Sequence, residues 1–265
     1  MYPFQYVLPK SIQEAGGILS GNPDAKALAG GMSLIPTMKL RLAKPSHLID
    51  LSAIRELRGI HVDGKSLVVG AMERHVVVAR SQLVRRHIPA LTQLAGGIGD
   101  PHVRNRGTIG GSLANNDPAA DYPAAVLGLD AQVHTSKRAI PAEEYFRGLF
   151  TTALEIDEVI RWIQFPIPER ASYVKFPQPA SRFALVGVWV SKFPHGVRVA
   201  VTGAGPGVFR CNEIESALAK TFAPAAVEEL ALPPDNLASD FHGTARYRAH
   251  LITVMAKRAV QNCLT

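Results

Sequence analysis

The stretch from Gly96 to Asp121 constrains this chain more than any other part of it. It reads Gly96-Gly97-Ile98-Gly99-Asp100-Pro101 at its start, Gly107-Thr108-Ile109-Gly110-Gly111-Ser112 in its middle and Asn115-Asn116-Asp117-Pro118-Ala119-Ala120-Asp121 at its end. Glycine carries no Cβ, so backbone built from it can approach another surface closely, while short polar side chains beside it supply hydrogen bonds. The stretch lies between two apolar, helix-like runs, which fits it poorly as plain scaffold. A polar ligand bearing phosphate needs this combination.

A second glycine loop precedes it. Lys26-Ala27-Leu28-Ala29 reads as a short buried strand that runs into Gly30-Gly31-Met32-Ser33, and a helical pattern resumes from Leu34 to Leu40 with its N-terminus facing the same spot. Successive N–H groups in such a turn can converge into an anion cradle. A tight strand-to-helix turn with no ligand explains these residues equally well, and the loop alone leaves the two readings open.

With 265 residues the chain suits two or three compact units, at roughly 100–200 residues per domain. Ser11, with Glu14 three residues on, reads as a helix cap, and the helix is expected to stop near Gly16-Gly17 or shortly after. His47 to Leu51 reads as a strand, and Leu57 to Gly70 as a hairpin turning at Asp63-Gly64. His75 to Leu94 suits two helices broken at Pro89. Tyr122 to Leu129 reads as a helix, Ala131 to Thr135 as a strand, Pro141 to Phe146 as a short helix and Val159 to Phe165 as a half-buried strand ended by Pro166-Ile167-Pro168. A hairpin pattern follows over Phe183 to Thr202, and Thr244 to Cys263 forms an amphipathic helix with Tyr247, Leu251, Val254, Met255 and Ala259 on one face. The units expected are residues 1–56, 57–168 and 169–265, the last an α+β domain.

Several functions are excluded. No apolar run approaches the ~20 residues of a membrane span, and the N-terminus lacks the regions of a secretion signal, so a soluble cytoplasmic protein is expected. Cys211 and Cys263 are too few and too far apart to hold an iron–sulfur cluster or structural zinc, so any such metal belongs to a partner. The net charge of +7 is scattered and lacks a nucleic-acid motif, which reads as a solvated basic surface and not a nucleic-acid binder. No G-K-[ST] follows a glycine loop, Ser112 sits in no nucleophile elbow, and Pro206 spoils Val201 to Gly207 as a dinucleotide fingerprint. No metal site and no catalytic side chain are expected on this chain.

With both glycine loops laid out, the chain resembles the FAD-binding medium subunits of bacterial molybdenum hydroxylases and the flavin domain of xanthine dehydrogenase. The resemblance rests on Ala29-Gly30-Gly31-Met32-Ser33 with Met38-Lys39-Leu40, on Gly107 to Ser112 with Asn115 to Asp121, and on the tail Asp240 to Arg248. It implies a two-part FAD-binding domain of the PCMH, or vanillyl-alcohol-oxidase-like, type, followed by a C-terminal α+β domain with an antiparallel sheet and packed helices. FAD then lies between the first two units. Its diphosphate falls to Ala29, Gly30, Gly31, Met32 and Ser33 from one side and to Thr108, Gly110, Gly111 and Asn115 from the other. The resemblance further places Asp121 beside the ribityl hydroxyls, Ile160 against the isoalloxazine and Lys175 near its polar edge. Read from the residues alone, Asp121 at the start of the helix from Tyr122 also reads as an N-cap, a role compatible with the ligand contact, and Lys175 serves equally as a surface lysine. Met32 departs from the histidine or asparagine-threonine type found in that loop. The implied partners are an iron–sulfur small subunit and a molybdopterin large subunit, in a dimer of heterotrimers, with FAD passing electrons to an acceptor. The competing reading is a flavin-free or nucleotide-binding assembly module.

Overall fold

Residues 1–265 are all described by a computed structural model. Near the N-terminus, β1 (Gln5–Val7), α1 (Ile12–Gly21), β2 (Lys26–Leu28), α2 (Leu34–Lys39) and β3 (His47–Asp50) build a parallel sheet in the order β1-β3-β2. Ser11 Oγ accepts from Glu14 N at 3.1 Å, as expected of the cap. The helix, however, continues through Gly16-Gly17 to Gly21. Ile12, Ala15 and Leu19 bury one face in a core with Ile49, Leu51 and Ile54, and that burial outweighs the roughly 1 kcal/mol that each glycine costs a helix.

The central part contains β4 (Ile60–Asp63), β5 (Ser66–Gly70), α3 (His75–Arg80), α4 (Gln82–His87), α5 (Pro89–Gly96), α6 (Pro101–Arg106), α7 (Ile109–Asn115), α8 (Tyr122–Gly128), β6 (Gln132–Thr135), β7 (Ala139–Pro141), α9 (Ala142–Tyr145), β8 (Phe146–Gly148), β9 (Thr151–Thr152) and β10 (Ile160–Pro166). Five of its strands form an antiparallel sheet in the order β4-β5-β10-β6-β7. The run expected as two helices is three, because Ser81 Oγ caps α4 by accepting from Val84 N at 3.3 Å within the apolar pattern. Two further short helices lie inside the glycine-rich stretch itself. Asp100 Oδ1 accepts from Val103 N at 2.8 Å to start α6, and Thr108 Oγ1 accepts from Gly111 N at 3.1 Å to start α7.

The C-terminal part holds β11 (Arg170–Pro177), β12 (Ala184–Phe193), β13 (Gly196–Thr202), β14 (Phe209–Arg210), α10 (Asn212–Lys220), α11 (Ala225–Glu228) and α12 (Ala245–Leu264). Its sheet is antiparallel in the order β11-β12-β13-β14, so the molecule is α+β, with a small parallel sheet only at its N-terminal end. Strand β12 is buried on both faces: Val186, Val188 and Val190 pack with Leu251, Ile252 and Met255 of α12, and Trp189 packs toward α8. A Cβ on Gly128 of α8 would stand 2.3 Å from the Trp189 ring, so α8 lies directly on the sheet. Helix α12 buries Leu251, Met255 and Ala259 of the expected face and departs from it in its first turn. Tyr247 is exposed and Val254 half-buried, whereas Arg248 is buried and holds Leu185 O, Gly203 O and both carboxylate oxygens of Asp240 at 2.8–2.9 Å. The tail from Asp240 to Arg248 is thus a structural clasp.

Candidate cofactor site

A cavity of about 680 Å³ opens where the loop after β2, the start of α7, the approach to α8 and the start of β10 meet. That volume is in the usual range for a cofactor or drug-sized ligand. Ala29, Gly30, Gly31, Met32, Ser33, Thr108, Gly110, Gly111, Asn115, Asp121 and Ile160 all line it, whereas Lys175 does not. Residues singled out from three separate stretches are therefore brought to one hollow.

Glycine is what lets the walls meet. A Cβ on Gly30 would lie 2.3 Å from Arg106 O, so the N-terminal loop rests backbone to backbone on the end of α6. On Gly107 it would lie 2.5 Å from His75 Nε2, and on Gly110 it would lie 2.6 Å from Ala71 Cβ and 2.7 Å from Ala71 O. Gly31 has φ +74°, a left-handed conformation that side chains rarely adopt.

The two loops differ in what they offer a ligand. From Ala29 to Leu34, no backbone N–H donates a hydrogen bond to any group of the chain, and the Ser33 hydroxyl is equally unengaged. Around Thr108 the amides are mostly committed: Ile109 N donates to Glu73 O at 3.0 Å, Gly110 N to Ala71 O at 2.8 Å and Gly111 N to Thr108 Oγ1. Gly110 and Gly111 consequently contribute close approach, and the run of unbonded amides from Ala29 to Leu34 contributes donors. A diphosphate fits this cradle, because consecutive free amides stabilise anions without a neighbouring charge.

Asp121 occupies the N-cap position of α8, but its side chain does not cap the helix. Its carboxylate makes no capping bond to α8 but is buried, accepting from the Tyr173 hydroxyl at 2.6 Å and pairing with Lys175 Nζ at 2.9 Å. Burial pushes its carboxyl above the usual carboxylate range, and Lys175 and Tyr173 oppose that shift. Burial and the Asp121 charge push the Tyr173 phenol well up, which keeps it a donor. Lys175 is neither a surface lysine nor a cavity wall: its ammonium also donates to Gly97 O at 2.9 Å and Arg182 O at 2.8 Å. It acts on the cavity through Asp121.

Sequence reasoning missed three residues beside the hollow. His75 lines it with an almost fully buried ring whose Nδ1 has no partner, and burial, reinforced by Arg104, lowers its pKa to about 4. Tyr173 arrives from β11, far along the chain. Asn116, left-handed at φ +43°, donates from Nδ2 to Gly148 O at 2.8 Å and Thr151 O at 2.7 Å, tying down the β8–β9 hairpin whose Phe150 overhangs the cavity. Asn-Asn after a helix was the available signal for Asn116, since asparagine tolerates the left-handed cap.

A two-loop cradle of this kind, closed by side chains of the C-terminal part, suits a cofactor that carries a diphosphate. Comparison with known proteins gives the family: residues 2–168 match the FAD binding domain in molybdopterin dehydrogenase, and the chain belongs to that family. It is 37% identical to the carbon monoxide dehydrogenase medium chain of Hydrogenophaga pseudoflava, over 97% of this chain and 96% of that one. Against the glyceraldehyde dehydrogenase medium chain of Sulfolobus acidocaldarius it is 32% identical, over 98% of each. Among solved structures, reconstituted CO dehydrogenase from Oligotropha carboxidovorans matches with a TM-score of 0.93 and 33% identity over 99% of both chains. These relatives are oxidoreductase subunits, and FAD is the cofactor of the matched domain. No helix is long and apolar enough to cross a membrane.

Proposed function

We propose that this chain is the FAD-carrying electron-transfer subunit of a molybdenum hydroxylase, taking electrons from an iron–sulfur small subunit and passing them to an external acceptor. The observation that carries this reading is the run of six unbonded amides from Ala29 to Leu34 on the wall of a cofactor-sized cavity. FAD supplies the redox chemistry; the chain supplies binding, orientation and electrostatics. On this reading Ala29 to Ser33 hold the diphosphate, Thr108, Gly110, Gly111 and Asn115 close on it from the other side, and Ile160 packs against the isoalloxazine. Asp121, paired with Lys175 and oriented by Tyr173, takes the ribityl hydroxyls.

The same proposal divides the chain at 1–56, 57–168 and 169–265, which the change of sheet at each boundary supports. It places the chain in the cytoplasm with the iron–sulfur subunit and a molybdopterin large subunit, as a dimer of heterotrimers. That the Hydrogenophaga and Sulfolobus relatives are named medium chains supports the multisubunit setting. The test is the visible absorption spectrum of the purified chain, alone and in its complex. Flavin bands that bleach when the complex receives its substrate anaerobically are expected, and a colourless complex would leave only an assembly role.

A further inference from the structure

The motif Met38-Lys39-Leu40 helps to mark the family, yet only Met38 is explained by packing, being fully buried. Immediately after it the chain makes a tight turn in which Leu40 is 72% exposed and Leu42 76% exposed. Singly exposed leucines are ordinary, but these two flank Arg41, which holds φ +61°, a conformation unfavourable for any side chain with a Cβ. The turn is also firm. Leu40 N donates to Pro36 O, Arg41 N to Met38 O and Leu42 N to Thr37 O, each at 3.0 Å, so the end of α2 fixes its shape.

Around it the surface is apolar and cationic. Gln5 N donates to Ser46 O at 2.9 Å, which brings the N-terminal segment alongside, and the Tyr2 ring lies 5.8 Å from the Arg41 guanidinium and 5.4 Å from Lys44 Nζ. Met1 and Tyr2 are themselves exposed. Residues 25–46 include Lys26, Lys39, Arg41 and Lys44 and no acid, and none of these cations enters a salt bridge. A rigid, strained turn with two leucines at its tip and unpaired cations at its rim is the anatomy of an interface anchor: an apolar knob with a charged surround.

We propose that the Leu40–Leu42 turn docks into another subunit of the same complex, whose facing surface is an apolar socket rimmed by carboxylates. This rests on the reading of the chain as one subunit of a heteromeric enzyme. Charge complementarity selects an acidic protein surface. A bilayer is disfavoured because interfacial anchoring uses a sustained amphipathic helix, and α2 spans six residues.

The test uses the whole complex, made by co-expressing the chain with the large and small subunits from its neighbouring genes. Leu40→Ser/Leu42→Ser and Arg41→Glu are compared with wild type for subunit retention and dissociation constant at low and high salt. Arg41→Gly, which relieves the left-handed strain, controls for the fold. The expected result is at least tenfold weaker association for the double serine variant, and for Arg41→Glu a loss that is larger at low salt. FAD per chain and the melting temperature of the isolated chain should stay at wild-type values. Because FAD content reports on the cavity and subunit retention on the turn, a chain without flavin would fail the functional reading and leave this test standing. Unchanged association in both variants would overturn the proposal. So would binding of the wild-type chain to phosphatidylserine vesicles, or self-association, that disappears in the double serine variant while subunit retention does not.

Discussion

The Tyr173 hydroxyl of β11 donates to Asp121 Oδ1 at 2.6 Å, and so joins the C-terminal sheet to the residue that opens α8 at the cavity wall. Lys175, two residues along the same strand, pairs with the same carboxylate at 2.9 Å. The cavity residue Asp121 is therefore held by a side chain pair that lies outside the matched domain, residues 2–168.

Lys175→Met should be costly, because it leaves a buried carboxylate with the Tyr173 hydroxyl alone; breaking a buried pair costs about 3–5 kcal/mol. Asp121→Asn should cost less, about 1–3 kcal/mol, since the Lys175 ammonium keeps Gly97 O and Arg182 O. The double variant is expected to be clearly more stable than the sum of the two losses implies. Urea unfolding of the apoprotein measures all three, and additive losses would mean that the pair is not coupled. Asp121→Asn should also weaken FAD binding by roughly 1.5–3 kcal/mol, the worth of a charge-assisted bond to a hydroxyl.

His75 makes stability depend on pH. Its folded pKa, lowered to about 4 by burial and by Arg104, lies below the ordinary histidine value of 6.5, so the unfolded chain takes up the proton first. The stability that depends on a neutral ring is complete above pH 6.5 and falls as the pH drops toward 4. The loss at the lower limit is about 3 kcal/mol. His75→Phe should flatten this part of the profile between pH 6.5 and 4 while changing little at pH 8. Chemical denaturation across that range reads the difference, and identical slopes in variant and wild type would contradict it.

What could be read in advance follows the reach of each interaction along the chain. The glycine loops were legible because glycine spacing is a local signal, and so were the Ser11 cap and the turn at Gly64, with φ +57°. Helices α6 and α7 were hidden by the glycines that flank the first and lie inside the second, although Asp100 and Thr108 are ordinary N-caps three residues ahead of the amides they satisfy. Lys175 and Tyr173 could not be paired with Asp121 from sequence, since the contact spans more than fifty residues. On α12 the core positions Leu251, Met255 and Ala259 were legible from their spacing, but the first turn was not, because a buried Arg248 looks like a surface residue until Asp240 and two carbonyls are seen around it.

Asn116→Ala should loosen the β8–β9 hairpin more than the rest of the molecule. It deletes both donors to Gly148 O and Thr151 O, about 2 kcal/mol in all, and puts a Cβ-bearing residue with no compensating bond at φ +43° for about 1 kcal/mol more. Asn116→Gly removes the second cost and not the first. Limited proteolysis over residues 146–152 should therefore accelerate in both variants, and further in the alanine one. Equal cleavage rates in wild type and variants would mean that the asparagine is not the tether.

Gly30 and Gly110 both line the cavity, yet larger residues should fail there in different ways. At Gly110 an added side chain runs into Ala71, 2.6 Å from its Cβ and 2.7 Å from its carbonyl oxygen, on the backbone that leaves β5. Neither side can yield without disturbing the central core, where Ala71 and Ile109 are both packed. Gly110→Val should therefore destabilise the apoprotein by about 3 kcal/mol or more, at or above the upper end of ordinary overpacking, with flavin lost as a consequence. At Gly30 the clash is with Arg106 O at 2.3 Å and Gly107 Cα at 2.6 Å, across the seam between the N-terminal loop and the end of α6. Each of those segments has its own core to hold it, so Gly30→Ala can be relieved by the two walls moving apart. That widens the cradle and draws the unbonded amides away from the ligand. FAD affinity should drop at least tenfold, about 1.4 kcal/mol, with a smaller change in apoprotein melting than Gly110→Val shows. Flavin titration and thermal melting of the two apoproteins separate these cases. A Gly110→Val protein that melts like wild type but cannot hold FAD would place that side chain in the ligand space and not against Ala71.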